Sequence, residues 1–264
     1  MNPIRADYHI HTKLCKHASG DMEEYVRHAI RAGLTEIAFT DHIPLPDGFD
    51  RAHRMEPEQL SDYVRRVGEL QQRYRNRINI LLGIEADFID GFEKYLEQTL
   101  SAFPFDLVIL SVHFIKHWPG DQWVFRYDFP EKSLTAVYDE YLQAVRRGIE
   151  TGLFDVVGHL DLIKRPEQPL LQANRETVTN VLQAAAKHSM AVEINTSGWR
   201  KEIGEPYPAP EILPLIRELG LPVTVGSDAH GPNQVGYGFD RVAALLEQNG
   251  IAGPVSFNKR QWIA

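Results

Sequence analysis

Apolar runs rich in Val, Ile and Leu alternate with amphipathic stretches along most of the chain. Seven of these runs have the length of buried strands, and the segments between them repeat apolar residues at helical spacing. The predicted strands are 5–11, 35–42, 78–86, 105–114, 154–161, 191–197 and 221–228. The predicted helices are 21–32, 57–76, 91–101, 131–151, 174–188, 209–219 and 239–249. Strands that alternate with helices indicate a parallel sheet covered by helices.

The number of strand–helix units favours a barrel. Seven units without a Gly-rich dinucleotide loop are more typical of a barrel than of a doubly wound sheet. We therefore predict an α/β fold, a distorted TIM-like (β/α)7 barrel that forms a single domain over residues 1–264. The long loops 43–56 and 115–130 follow strands, so we expect both at the C-terminal face, where barrel enzymes have their active sites. For the aromatic loop 115–130, a lid and a local cluster of rings are both open.

Candidate metal ligands gather where the predicted strands end. They are Asp7, His9, His11 and His17, then Asp41 and His42, Glu85 and Asp87, His113, His159 and Asp161, Glu193 and Asn195, and Asp228 and His230. His9 and His11 are two residues apart, so both side chains point to one side of a strand. A single His-x-His or Asp-His is weak evidence, because surface pairs and helix caps look the same. Their recurrence at one end of a barrel predicts a metal cluster.

The residue types indicate the chemistry of this cluster. Imidazole and carboxylate are the ordinary ligands of Zn²⁺, Mn²⁺ and Fe²⁺. A carboxylate can bridge two ions, and such a pair of ions acidifies a shared water and offsets the charge of a phosphate. The cluster therefore predicts a metal-dependent phosphoesterase.

Composition narrows the class of partner and the compartment. The formal net charge of −8 argues against nucleic acid, although bound cations would offset part of it. No apolar run approaches the roughly 18 residues of a membrane span, and the first residues do not resemble a signal peptide. The single cysteine, Cys15, excludes an internal disulfide and suits a reducing cytoplasm, where we expect the protein. We interpret Cys15 itself as a loop or packing residue.

Six short motifs carry a family resemblance. They are D-Y-H-I-H-T at 7–12, T-D-H at 40–42, G-I-E at 83–85, S-V-H at 111–113, G-H-L-D at 158–161 and S-D-A-H at 227–230. In order and spacing they resemble the motifs of the polymerase and histidinol phosphatase (PHP) family, over nearly the whole chain. The resemblance implies a (β/α)7 barrel that holds up to three divalent ions of zinc, manganese or iron.

The resemblance also implies which residues bind the ions. The first ion would be held by His9, His11, Glu85 and Asp228, the second by Glu85, His113 and His159, and the third by His17, His42 and His230. Glu85 would bridge the first two ions, and we assign catalysis to Glu85 and Asp228 together with Arg165. Asp7 and Asp41 would either orient imidazole rings or cap turns.

Within the family, the chain resembles the stand-alone histidinol-phosphatase branch. The likeness lies in S-V-H-F-I at 111–115, G-H-L-D-L-I-K-R at 158–165 and E-I-N-T at 193–196. Arg165 matches the branch's phosphate-binding arginine, and the alternative is a surface arginine before a proline. The branch places an arginine directly after N-T, where this chain has Ser197. Arg200, three residues later, is our candidate for that substrate contact.

The implied activity is hydrolysis of L-histidinol phosphate, a small-molecule phosphate ester, in histidine biosynthesis. Alternatives within the family are a phosphatase of broad specificity, a phosphotyrosine-protein phosphatase and, disfavoured by the acidic charge, a nuclease. A different class of alternative is a non-catalytic metal-binding or polymerase-associated barrel. Loss of ligands would support such a barrel, and all nine positions carry a suitable residue type.

Overall fold

Seven parallel strands form the centre of the molecule. The structure is a computed structural model that describes residues 3–118, 123–166 and 168–263. The strands lie in chain order: β1 Ala6–Ile10, β2 Glu36–Phe39, β3 Asn79–Asp87, β4 Leu107–Ser111, β5 Val156–Val157, β6 Ala191–Asn195 and β7 Val223–Gly226. Backbone hydrogen bonds join Ala229, just after β7, to His9 and His11 at the end of β1. These bonds nearly close the sheet, and the predicted (β/α)7 barrel is confirmed.

Helices follow the strands along the chain. They are α1 Met22–Arg31, α2 Leu60–Tyr74, α3 Glu93–Ser101, α4 Leu134–Glu150, α5 Leu170–Lys187, α6 Leu213–Glu218 and α7 Phe239–Asn249. All seven predicted helices are present, but α5 begins four residues earlier than expected. The first part of predicted helix 209–219 is a separate 3₁₀ turn, Pro210–Ile212. None of the helices in the described part of the chain is long and apolar enough to cross a membrane.

The ends of α1 illustrate how the sequence sets these bounds. The carboxylate of Glu24 accepts a hydrogen bond of 2.6 Å from the backbone amide of Asp21, the N-cap residue. This contact satisfies one of the amides that a helix start leaves free. Gly33 lies just beyond the helix with φ of +78°, a conformation that glycine adopts without strain. Together they account for the bounds Met22–Arg31, which agree closely with the predicted helix 21–32.

Side chains from successive strands fill the barrel at its N-terminal end. The cluster consists of Tyr8, Ala38, Leu81, Leu107, Ile109, Val156, Ala191, Val255 and Phe257. Phe257 belongs to a C-terminal antiparallel hairpin, β8 Ser256–Asn258 and β9 Gln261–Ile263, and its ring centroid lies 5.5 Å from that of Tyr8. This hairpin was not predicted from the sequence, because strands of three residues show too little periodicity to detect. With this end filled, the opposite end is where a site can form.

Candidate metal centre

All nine predicted ligands meet at the C-terminal end of the barrel. His9 and Glu85 lie within strands, and the other seven follow strand ends or lie in the loops just beyond. Seven of the nine are buried, with none of the seven more than 8% exposed, whereas His230 is half-buried and His17 is exposed. Their convergence follows from the parallel sheet, since the ends of all its strands share one face. Their role as ligands stays a prediction.

A first group surrounds one oxygen of Glu85. The Nε2 atoms of His9 and His11 lie 3.4 and 3.5 Å from Glu85 Oε2. Asp228 Oδ1 lies 3.2 Å from His11 Nε2 and 3.9 Å from His9 Nε2. Two imidazoles and two carboxylates thus enclose a space that suits one divalent cation.

A second group surrounds the other oxygen of Glu85. Glu85 Oε1 lies 2.9 Å from His159 Nε2 and 3.8 Å from His113 Nε2, and it accepts a hydrogen bond from the Ser111 hydroxyl. The two oxygens of one buried carboxylate therefore face two different sets of imidazoles. This is the geometry required of a carboxylate that bridges two cations.

A third group lies nearer to solvent. The Nε2 atoms of His17 and His230 are 2.9 Å apart, and His42 completes the group. The Nδ1 atom of His42 lies 2.8 Å from Glu85 Oε2, so this ring links the third group to the first.

Two carboxylates behind the ligands orient the rings. Glu193 Oε1 lies 2.6 Å from His9 Nδ1, and Asp87 Oδ1 lies 2.9 Å from His113 Nδ1. Such contacts fix the tautomer, so that Nε2 is left to bind a cation. Both residues were among the candidate ligands at strand ends, but neither was assigned to an ion or to the support of a ring. The missed signal for Asp87 is its position two residues after Glu85 on β3, on the same side of the strand.

Asp7 and Asp41 contact mainly the backbone. Asp7 accepts hydrogen bonds from the amides of Ser227 at 2.8 Å and Gly236 at 2.9 Å. Asp7 therefore organises the loop after β7, in agreement with the alternative that it caps a turn and does not orient an imidazole ring. Asp41 accepts from the amides of Thr12 and His42, and its Oδ1 lies 3.7 Å from Nδ1 of the His11 ring.

The backbone after β7 is held in a conformation that favours glycine. Asp228 has φ of +52°, which is strained for an ordinary residue. Arg200 supports this turn, since its guanidinium donates to the carbonyls of Ser227 at 2.8 Å and Asp228 at 3.0 Å. Gly226 is also required, because a Cβ there would lie 2.1 Å from Glu193 Oε1. The close packing of β7 against Glu193 thus depends on the absence of a side chain.

Electrostatics hold the two carboxylates of this centre in their ionised form, whereas the pKa of His9 and of His11 is raised well above 6.5, so these rings carry a proton that a bound cation would displace. Burial alone would raise the pKa of Glu85, but the charges of His42 and His9 outweigh it and hold that pKa well below its usual range. The pKa of Asp228 is likewise held well below its usual range, against burial, by His9 and by its contact with His11. Burial lowers the pKa of His42 to about 4, so its ring is neutral near neutral pH. Ionised carboxylates and neutral imidazole are the forms that bind cations.

Unpaired buried atoms test whether a cation fits. Within the described ranges, His9 Nε2, His11 Nε2 and Glu85 Oε2 are buried and form no hydrogen bond of good geometry, although His42 Nδ1 lies 2.8 Å from Glu85 Oε2. Leaving such an atom unpaired costs about 1–3 kcal/mol. A cation in the first group would satisfy all three, so these residues fit a divalent ion.

Cys15 lies closer to this centre than the sequence suggested. Its buried thiol belongs to a group with His11 and His230 in which the candidate ligand atoms lie within 4.8 Å of one another. The interpretation as a mere packing residue missed this contact. The turn Lys13–Cys15, which brings the thiol back towards β1, leaves no trace in residue spacing.

A cavity of about 400 Å³ opens above the three groups. Its wall away from them includes Asp50, His53, Phe114, Trp123 and Phe125. The rings of His53 and Trp123 are 4.4 Å apart, and Phe125 stacks on His113 at 5.8 Å. The loops 43–56 and 115–130 therefore both border the site, as expected, although residues 119–122 of the second lie outside the described residues.

Neither predicted substrate-binding arginine lines this cavity. The guanidinium of Arg165 donates to the carbonyl of Tyr127 at 2.7 Å and lies 4.2 Å from the centroid of that ring. Arg200 is engaged with the turn at Asp228. The assignment of both arginines to phosphate stays a prediction.

Known proteins resemble the chain over its length. The sequence model of the PHP domain matches residues 7–197, and that of the PHP-associated family matches 212–247. A probable histidinol-phosphatase of Deinococcus radiodurans is 40% identical over 256 residues, which cover 97% of each chain. The histidinol-phosphatase of Bacillus subtilis is 31% identical and covers 92% of this chain and 99% of its own.

A solved structure agrees with these relatives. The crystal structure of histidinol phosphate phosphatase from Lactococcus lactis, complexed with zinc, L-histidinol and phosphate, matches with a TM-score of 0.84 and 26% identity. The match covers 98% of this chain and 99% of that one. The motifs, the barrel and these comparisons agree, and the chain belongs to the PHP family.

Proposed function

We propose that the protein is a metal-dependent phosphomonoesterase that hydrolyses L-histidinol phosphate to L-histidinol and phosphate. The observation that carries the proposal is the division of the Glu85 carboxylate between two groups of imidazoles at the base of a cavity. The relatives named as histidinol-phosphatases, and the neighbour bound to zinc, L-histidinol and phosphate, support the choice of substrate.

The proposed cofactor is a set of up to three divalent ions, with zinc the first candidate. We assign the first ion to His9, His11, Glu85 and Asp228. We assign the second to Glu85, His113 and His159, and the third to His17, His42 and His230. When bound, such ions supply a nucleophile near neutral pH and neutralise phosphoryl charge. Because Asp228 and His230 lie in the PHP-associated segment 212–247, both matched parts contribute to one centre. We accordingly treat residues 1–264 as one catalytic domain.

Carboxylate side chains of the protein hold the proposed metal ligands in position. Glu85 places one oxygen in each of the first two groups, and the buried Glu193 and Asp87 hold the rings of His9 and His113 from behind. These contacts are made inside the protein before substrate arrives, so little rearrangement is needed during the reaction. Asp228 contributes the second carboxylate of the first group.

The aromatic wall is the proposed place for the histidinol part of the substrate. An imidazole can stack on rings such as Trp123 and His53. A cavity of about 400 Å³ suits a small ester better than an oligonucleotide. We therefore propose a small-molecule substrate. We also propose that the protein is cytoplasmic, since the free thiol of Cys15 is stable in a reducing compartment.

We propose that Arg165 contacts the phosphoryl group of the substrate, as its match to the phosphate-binding arginine of the histidinol-phosphatase branch implies. To reach the phosphoryl group, its guanidinium would leave the Tyr127 carbonyl. Arg165→Ala should leave metal content unchanged and reduce kcat/KM about thirty- to a thousandfold, from the loss of a contact worth about 2–4 kcal/mol. The loss should be equal for histidinol phosphate and p-nitrophenyl phosphate. Wild-type efficiency would remove Arg165 from the site and leave Arg200 as the next candidate.

Steady-state kinetics on a substrate panel test the proposed activity. The zinc-loaded protein is assayed with L-histidinol phosphate, p-nitrophenyl phosphate, a phosphotyrosine peptide and a short oligonucleotide, with a chelated sample as control. The proposal expects the highest kcat/KM for histidinol phosphate. Equal values for all monoesters would indicate broad specificity, and cleavage of the oligonucleotide alone would contradict the proposal.

A further inference from the structure

Among the described residues, one arginine and one lysine line the cavity above the three groups, and they differ in how far protein carboxylates engage their charge. Arg54 is 2% exposed and is fully engaged. Its guanidinium binds the carboxylates of Asp50 at 2.9 Å and Asp87 at 3.0 Å, and donates to the carbonyl of Ile43. Lys201, by contrast, has an exposed side chain and forms no ion pair with the described residues, and its charge acts on Asp228 only at longer range. Of these two residues, Lys201 is therefore the one available to a ligand.

The ammonium of Lys201 lies between two aromatic faces at the cavity wall. Its Nζ atom is 5.5 Å from the ring centroid of Phe125 and 5.5 Å from that of Tyr207. Such contacts hold a cation weakly, by about 0.5–1 kcal/mol at exposed sites, without neutralising it. The lysine is thus directed towards the cavity but remains free to form a stronger contact with an anion.

The loop that carries Lys201 is anchored at both ends. Its base is paired by two backbone hydrogen bonds between Asn195 and Tyr207, of 2.6 and 2.9 Å. The buried Lys164 binds Glu205 at 3.0 Å and the carbonyl of Pro206 at 2.6 Å. Because the loop is braced, contact with a ligand does not also cost the entropy of ordering the loop backbone.

In this structure the neighbouring arginines donate to protein carbonyls, so either of them would have to leave its partner before it could contact a phosphate. Arg165 donates to Tyr127, and Arg200 donates to Ser227 and Asp228. We propose that Lys201 is a phosphate-binding residue of this cavity, whose ammonium contacts the phosphoryl group of the substrate and the phosphate product. The inference deepens the proposed function and rests on it for the class of substrate, a phosphate ester.

Phosphate binding tests this role independently of turnover. The affinity of the zinc-loaded protein for inorganic phosphate is measured by calorimetry for wild type, Lys201→Gln, Lys201→Arg and the control Lys187→Gln, at an exposed lysine in the last turn of α5. Lys201→Gln should weaken phosphate binding roughly five- to thirtyfold, which corresponds to about 1–2 kcal/mol. Lys201→Arg should bind within about threefold of wild type because it keeps the charge. Lys187→Gln should match wild type.

Kinetics and metal content complete the test. KM should rise with Lys201→Gln by a similar factor for histidinol phosphate and p-nitrophenyl phosphate, while kcat changes less and zinc content stays the same. Wild-type phosphate affinity in Lys201→Gln, or an equal loss in Lys201→Arg and Lys201→Gln, would overturn the role. A protein that binds phosphate through Lys201 but does not hydrolyse histidinol phosphate would refute the proposed substrate and leave this inference standing.

Discussion

Glu193 offers a sharp test of how the centre is built, because it touches the ligands without being one of the nine. Its side chain is 1% exposed, and it accepts from His9 Nδ1 at 2.6 Å and from the backbone amide of His159 at 2.9 Å. Both contacts are made by carboxylate oxygens. Glu193→Gln keeps the shape of the side chain but replaces one of these acceptors with an amide NH₂ group, which cannot accept.

The expected loss follows from these two contacts. A hydrogen bond to a charged group contributes about 1.5–3 kcal/mol and a neutral one about 0.5–1.5, so the loss of charge costs about 1 kcal/mol at the retained contact. The other contact sets two donors against each other and costs at least as much. Together they give about 2–3 kcal/mol, consistent with the ten- to hundredfold losses typical of residues that orient metal ligands.

Metal affinity is the direct readout. Zinc affinity is measured by competition with a chromophoric chelator, and kcat/KM is measured on the zinc-saturated protein. Glu193→Gln should lower zinc affinity about ten- to hundredfold, whereas the control Glu176→Gln, at an exposed residue of α5, should leave it unchanged. Wild-type zinc affinity and kcat/KM in Glu193→Gln would refute the reasoning, since the imidazole would then not depend on the carboxylate behind it.

Three further predictions concern the same centre. Glu85→Gln should reduce kcat/KM and zinc content more than His17→Ala, because Glu85 serves two groups and His17 one; equal, mild losses would contradict the bridge. Gly226→Ala should displace Glu193, destabilise the protein by about 1–3 kcal/mol in thermal unfolding and weaken zinc binding; wild-type values for both would count against it. Burial lowers the pKa of His9, but Glu193 and Glu85 outweigh it and raise that pKa well above 6.5 in the metal-free protein. The pKa of His11 is likewise raised well above 6.5, against burial, by its contact with Asp228. Zinc must then displace at least one proton, so its affinity should fall by at least about tenfold per pH unit from pH 8 to pH 6; a flat profile would contradict this.

The barrel and the position of the ligands could be predicted because both follow from local pattern. Each strand is a short apolar run, and each candidate ligand lies within it or a few residues beyond it, so parallel order alone brings His9, Glu85 and His159 to one face. The roles of the carboxylates could not be predicted in this way. Asp7 and Asp87 both lie on strands, yet one binds backbone amides and the other an imidazole.

The remaining differences arise from contacts between distant segments. The approach of Glu193 to His9 depends on how β6 and β1 meet across the barrel and on the bare backbone of Gly226. The engagement of Arg165 by Tyr127 depends on the loop after β4, whose path no periodicity describes. Contacts made by long loops, and contacts across a closed sheet, therefore could not be predicted from the local sequence pattern.

The central claim is that one carboxylate joins two cation sites in a cluster of nine residues. Anomalous scattering from zinc-loaded crystals, collected above and below the zinc absorption edge, locates the ions directly. The account predicts two neighbouring peaks, one on each side of Glu85, between the first and second groups of ligands. If a third ion binds, its peak should lie among His17, His42 and His230. A single peak remote from Glu85, or zinc bound only at other surface residues, would contradict the account.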